Sequence, residues 1–190
     1  MKINIGVSNR HVHLKKEDLE VLFGEGYELT KARDLTQPGM YASAEKVTIK
    51  TEKDQIGNVR VLGPARNYTQ VEISKTDAFK LGLKPPIRTS GDLEESSPIT
   101  IIGPKGELQL EQGCIIANRH IHISEEDAKK YGFENDQIVS VKVDTEKGGI
   151  FDHVHIKISK EAFLELHVDT DDGNGFLISS DTMGEILDHE

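Results

Sequence analysis

Asn9-Arg10-His11-Val12-His13 returns 109 residues later as Asn118-Arg119-His120-Ile121-His122. Both copies follow an apolar stretch, residues 3–7 and residues 114–117, and both run into a charged helix start. In the first this is Lys15-Lys16-Glu17-Asp18, in the second Ser124-Glu125-Glu126-Asp127, a capping-box pattern. The shared plan is a strand, a His-x-His and a short helix. A further echo aligns Thr51-Glu52-Lys53 and Val59-Arg60-Val61 with Thr145-Glu146-Lys147 and Val154-His155-Ile156, at an offset of 95 from Val59 to Val154. The same offset sets Val71-Glu72-Ile73 against Leu166-His167-Val168, two alternating strands with a metal-capable side chain in the middle. Each half therefore supplies two histidines and one distant third ligand.

Outside these motifs the chain reads as short strands broken by Gly, Pro and Asn turns, at residues 46–51, 58–62, 69–73, 99–102, 138–143 and 153–158. Brief helices are expected at 15–23, 76–81, 125–131 and 160–163. Many short strands with few helices predict a mainly β fold of paired barrels or sandwiches, not a doubly wound sheet. The expected organisation is a first half over residues 1–90, a second over 91–175 and an acidic tail over 176–190. The stretch 85–98, rich in Pro, Ser, Gly and acids, is the expected connection between halves.

At 190 residues, 36% hydrophobic and 29% charged, the composition is that of a folded globular chain. A formal charge of −10 argues against a nucleic-acid partner, because phosphate backbones are bound through Lys and Arg. The single cysteine, Cys114, excludes an intrachain disulfide and fits a reducing compartment. No apolar run approaches the roughly 20 residues that cross a bilayer, and the start carries no secretory or transit pattern. A cytoplasmic location is the expectation.

Side chains alternate along a strand, so both histidines of a His-x-His face one way, about 6–7 Å apart at their Cα atoms. Two imidazoles so placed can grip one cation; they suit Zn, Cu, Fe or Ni, and a carboxylate third ligand still suits Zn. Three protein ligands leave a coordination position open for catalysis. A single His-x-His carries little weight, but two in matching contexts, each with a third ligand at the same later offset, carry much more. His153 and His155 form another such pair, yet their counterparts at the 95 offset are Asn58 and Arg60, so they read as an ordinary strand face. His189 falls in the polar tail, and Cys114, in an apolar run, reads as core. Arg66, in Gly63-Pro64-Ala65-Arg66-Asn67 on a loop feeding the Glu72 strand, has the forked geometry that holds phosphate or carboxylate. Arg10 and Arg119 point away from the adjacent histidines and read as structural.

Ser8 to Leu14, Gly63-Pro64-Ala65-Arg66, Thr69-Gln70-Val71-Glu72-Ile73-Ser74, Asn118-Arg119-His120-Ile121-His122 and Leu166-His167-Val168-Asp169 together resemble the PduL-type phosphate propanoyltransferases, over residues 3–174. The resemblance implies two pseudo-symmetric β-barrels with a dinuclear zinc site between them, commonly in a homodimer. It assigns one zinc to His11, His13 and Glu72, the other to His120, His122 and His167, and phosphate binding to Arg66. It also implies coenzyme A contacts at Ser8, Arg60 and Asn174, with Asn9, Arg10 and Arg33 as further candidates; Arg33 stands where the family often has lysine. The implied reaction converts acyl-CoA and phosphate into acyl phosphate and CoA. Members sent to bacterial microcompartments carry an amphipathic N-terminal extension that this sequence lacks, which favours a free cytosolic role.

Three rivals remain at this level. A cupin-like protein would use His11, His13 and Glu17, or His120, His122 and Glu126, in a His-x-His-x3-Glu pattern. A hydrolase of acyl or phosphate esters would use the same metals to activate water. The third is a metal-dependent binding module with no reaction of its own.

Overall fold

Alternating apolar residues run through nearly every segment, and they fold into short strands joined by tight connections. The computed structural model describes residues 1–187. In chain order these hold β1 (Lys2–Ser8), β2 (His11–Lys15), α1 (Lys16–Phe23), β3 (Lys31–Asp34), β4 (Tyr41–Lys50), β5 (Gln55–Arg66) and β6 (Gln70–Glu72). There follow α2 (Lys75–Leu81), β7 (Ile87–Arg88), β8 (Ser97–Ile102), β9 (Glu107–Ala117), β10 (His120–Ser124) and α3 (Glu125–Tyr131). The last are β11 (Ile138–Val143), β12 (Gly149–Ser159), β13 (Glu165–Asp169), α4 (Thr170–Gly175) and β14 (Met183–Ile186). His189 lies outside the described residues.

The strands close into two six-strand barrels, as expected of the mainly β class. One runs β1-β13-β10-β12-β11-β14 and back to β1. In the other, β4-β5-β2-β6-β9 lie in order and β8 pairs with both β9 and β4, completing the ring. Each barrel has its own apolar core. Val12, Leu14, Ile49, Val61, Val71 and Ile101 are among those filling one, and Ile121, Ile123, Val141, Phe151, Ile156 and Leu166 fill the other.

The two compact units are Arg10–Ala117, and Met1–Asn9 with the chain from Asn118 onward. Their joints fall immediately before each His-x-His, not within residues 85–98, for a reason visible in the pairing. β1 precedes the first motif but lies parallel to β13, with Gly6 opposite His167. The end of β9 precedes the second motif but lies parallel to β6, with Ile115 opposite Glu72. Gly6 and Ile115 are related by the 109 offset, Glu72 and His167 by the 95 offset. The duplicated halves have thus exchanged their first strands, which is why two offsets, not one, describe the repeat.

Two expectations need correction. The sequence predicts a tail over 176–190, but Met183–Ile186 is the strand that closes a barrel, antiparallel to β1 and to β11. Its inward positions are Gly184 and Ile186, so only one apolar side chain signals the burial. Gly184 is a packing requirement, since a Cβ there would lie 2.7 Å from Val141 Cγ1. Residues 160–163 were expected to be helical and are not; the fourth helix is α4. Its Thr-Asp-Asp-Gly-Asn-Gly sequence has poor helix propensity. It is held instead by the Asp169 carboxylate, which accepts from the backbone N–H groups of Asp171 and Asp172, each at 2.9 Å.

Candidate metal centres

In the Arg10–Ala117 unit, Val12 is fully buried in the core and turns the histidines on either side of it to the other face of β2. β6 runs antiparallel to it with His11 opposite Glu72 and His13 opposite Gln70. Glu72 Oε2 comes within 3.3 Å of His11 Nε2, and Oε1 within 3.9 Å of His13 Nε2. The two imidazole rings meet edge to face at 5.0 Å. Both histidines are buried and Glu72 is half-buried.

The other unit repeats this plan with Ile121 as the buried anchor. β13 runs antiparallel to β10, setting His120 opposite His167 and His122 opposite Glu165. His120 and His122 approach to 3.2 Å between their Nε2 atoms, and the His167 ring stands 5.4 and 4.6 Å from theirs. His120 Nδ1 lies 2.8 Å from the Asn118 carbonyl. A carbonyl can only accept, so Nδ1 carries the hydrogen and Nε2 keeps the lone pair a metal needs.

The donor sets fit a small transition-metal ion. In each group one ligand atom per residue lies within 4.8 Å of the others: His11, His13, Glu72, and His120, His122, His167. Ligands at about 2.0–2.2 Å in tetrahedral array stand roughly 3.3–3.5 Å apart; the 3.2 and 3.3 Å approaches match that spacing, and the 3.9 Å separation of His13 from Glu72 is wider. The sequence-derived triplets are therefore each brought together.

Arg66, expected on a loop, is the last residue of β5. It donates to the Tyr68 hydroxyl and, at 3.2 Å, to Ser90 Oγ. Gln70 also donates to Ser90 Oγ, at 2.9 Å, and to Glu72 Oε1, while the backbone N–H of Gly91 donates to Gln70 Oε1 at 2.7 Å. A continuous run of hydrogen-bonding side chains thus ties Arg66 to the Glu72 carboxylate. Sequence reasoning missed Gln70, Tyr68, Ser90 and Gly91. The last two lie in the segment read as a connection, and nothing local marks them.

Arg10 and Arg119 are engaged on the far side. Arg10 meets Asp77 in a forked pair, Nε to Oδ2 and Nη2 to Oδ1 both at 2.8 Å. Arg119 meets Asp172 in the same way at 2.7 Å twice, and lies 4.8 Å from the Phe151 ring centre. The Asp172 carboxylate raises the Arg119 pKa further by hydrogen bonding and charge. Each clamp ties the strand bearing the His-x-His to the helix that follows the third ligand. Ser74 and Asp169, which cap those helices, also correspond at the 95 offset.

The remaining candidates lie on several different elements. Arg60 lies opposite His11 in the sheet register and donates to the Ser43 carbonyl at 2.7 Å. Ser8 ends β1, Asn9 follows it exposed, Arg33 is exposed on β3, and Asn174 is exposed on α4. Glu17 and Glu126 are exposed on α1 and α3, outside both clusters, which removes the cupin-like reading. His153 and His155 sit on β12 and join no metal-type group among the described residues. Cys114 is buried, and its thiol is pushed up to about 12 by that burial, so it is no nucleophile.

A family model described as phosphate propanoyltransferase matches residues 4–179. A Thermotoga maritima protein named phosphate propanoyltransferase is 54% identical over 187 residues, 98% of this chain and 89% of that protein. Proteins of the same name from Lachnoclostridium phytofermentans and Clostridioides difficile are 50% and 48% identical, covering 97% of this chain in both cases and 85% and 88% of their own lengths.

Proposed function

The chain belongs to the phosphate propanoyltransferase family and is an acyltransferase, and on that premise we propose that it moves a short acyl group, acetyl or propanoyl, reversibly between coenzyme A and inorganic phosphate with one zinc ion at each His-x-His cluster. The observation that carries this reading is the pair of three-donor groups, one of them tied by hydrogen bonds to Arg66. His11, His13 and Glu72 hold one ion, and His120, His122 and His167 the other. Zinc so bound supplies Lewis acidity towards oxygen and favours the thiolate form of a coordinated thiol.

The chain's own part is positioning and charge. Arg66 presents a planar fork suited to a phosphate dianion, and Tyr68 and Ser90 fix the plane of that fork. With phosphate held, one of its oxygens attacks the thioester carbon; the C–S bond breaks, a C–O bond forms, and the phosphate proton leaves with the coenzyme A sulfur. No protein nucleophile is required. Ser8, Asn9, Arg10, Arg33, Arg60 and Asn174 are the proposed coenzyme A contacts. A homodimer in the cytoplasm completes the proposal; no helix among the described residues is long and apolar enough to cross a membrane.

One assay tests it: acetyl-CoA or propanoyl-CoA is supplied with phosphate, and free thiol and acyl phosphate are followed together. Equal appearance of both, dependent on phosphate, is expected. Thiol release without phosphate would support the hydrolase instead, and no release would support a binding role.

A further inference from the structure

The two clusters are backed differently, and the difference is one exchanged carboxylate. Two residues before Glu72 stands Gln70, whose amide donates to the Glu72 carboxylate. At the 95 offset these become Glu165 and His167, and Glu165 Oε2 lies 2.7 Å from His167 Nε2. Each pair holds a single carboxylate, as the ligand in one unit and behind the ligand in the other. Glu165 is only 6% exposed, and a buried carboxylate must be held by partners. A carboxylate facing a ring nitrogen at this distance accepts its hydrogen, which leaves Nδ1 as the nitrogen with a lone pair.

β1 supplies the second observation. Gly6 lies opposite His167 in the parallel register, in the middle of a strand, where glycine normally weakens pairing. Its φ lies outside the left-handed range, so the absent side chain is what the position uses. A Cβ there would stand 3.1 Å from Glu165 Cδ, 3.2 Å from His167 Cδ2 and 3.3 Å from Glu165 Oε1. At the corresponding place in the other unit, beside Glu72, stands the fully buried Ile115. The space beside Gly6 is taken up by the Glu165–His167 pair.

We propose that Glu165 is a positioning residue for the second metal cluster: it accepts the Nε2 hydrogen of His167, turns Nδ1 towards the ion, and needs Gly6 to make room for the pair. The proposal rests on the zinc reading above and adds to it the residues that orient one ligand. Carboxylates behind metal-bound histidines typically contribute 10- to 100-fold in metal affinity.

The test uses the full chain and two readouts other than turnover: zinc affinity of both sites by chelator competition, and the visible spectrum of the cobalt(II)-substituted protein. Glu165→Ala is expected to weaken one of the two sites by about 10- to 100-fold and leave the other unchanged. Glu165→Gln, which keeps an accepting oxygen and nearly the same volume, should weaken that site less; it also carries the test if the alanine variant does not fold. Gly6→Ala, which changes no polar group, should weaken the same site and shift the same cobalt bands. Wild-type affinity and spectrum at both sites in Glu165→Gln and Gly6→Ala would overturn the proposal. So would an equal loss at both sites, because positioning acts on one cluster. If the wild-type protein takes up no zinc, the metal reading itself fails.

Discussion

Removing Arg10 should cost this protein more stability than any ordinary surface arginine does. Asp77 has a side chain only 6% exposed, and Arg10, 33% exposed, gives it two 2.8 Å contacts. Without Arg10 the carboxylate keeps the backbone N–H of Ser74 at 3.4 Å, a long contact for a buried charge. Breaking a fully buried pair costs about 3–5 kcal/mol, and exposed pairs are worth about 0–1 kcal/mol. One buried and one half-buried partner place Arg10→Ala at roughly 2–3 kcal/mol. Urea unfolding of the metal-free protein measures this as a shift in midpoint at constant slope. A cycle with Asp77→Asn isolates the pair and should return a coupling of about 1.5–2 kcal/mol. Coupling under about 0.5 kcal/mol would refute the reasoning. The same variant tests the proposed coenzyme A role independently, since a lost contact there raises KM for acyl-CoA in protein that is still folded.

Three further outcomes follow from the site and its surroundings. Glu72→Ala and His167→Ala should each reduce bound metal from two ions per chain to about one, measured by elemental analysis; two ions retained after both changes would overturn the ligand assignment. Glu45 is buried, which pushes its carboxyl up, but backbone N–H groups including that of Thr30, with the Ser43 and Tyr27 hydroxyls, pull it below the usual value. A carboxyl depressed in the folded state stabilises above its unfolded pKa of about 4.3. Glu45→Gln should therefore destabilise at pH 7, with the gap to wild type closing as pH falls below about 4, followed by denaturant midpoints across pH. His153 holds φ 55°, and its counterpart Asn58 holds φ 58°. Left-handed backbone costs non-glycine residues on the order of 1 kcal/mol and asparagine less, so His153→Asn should raise Tm by about 1–3 °C, read by differential scanning calorimetry; no rise would remove strain as the account of that position.

The candidate ligands are legible because they obey a rule of short range. A His-x-His on a strand declares its facing through a period of two, and Val12 and Ile121 between the histidines declare which face is core. The third members of the clusters, Glu72 and His167, are legible because the repeat supplies their offset. The supports obey no such rule. Ser90 and Gly91 come to Gln70 from a segment whose composition says only that it turns. The barrel-closing β14 shows one apolar inward residue, Ile186, beside a glycine whose absence of side chain is the packing feature. The strand exchange is equally silent in local sequence, since β1 and the end of β9 look alike whichever barrel they join.

The duplication constrains more than the two metal-type clusters. A repeat within one chain acts as an alignment of two, and every position where the halves agree or compensate is constrained by the fold they share. Asp77 and Asp172 agree at the 95 offset, and each is the partner of an arginine matched at the 109 offset. Gln70-x-Glu72 and Glu165-x-His167 compensate, keeping one carboxylate and one hydrogen-bonding partner in exchanged order. Agreement marks what both barrels need to stand, and compensation marks where one cluster can differ from the other without losing its charge. The two clusters share a strand plan, a His-x-His opposite a third donor on an antiparallel neighbour, and differ in whether that donor is a carboxylate or an imidazole.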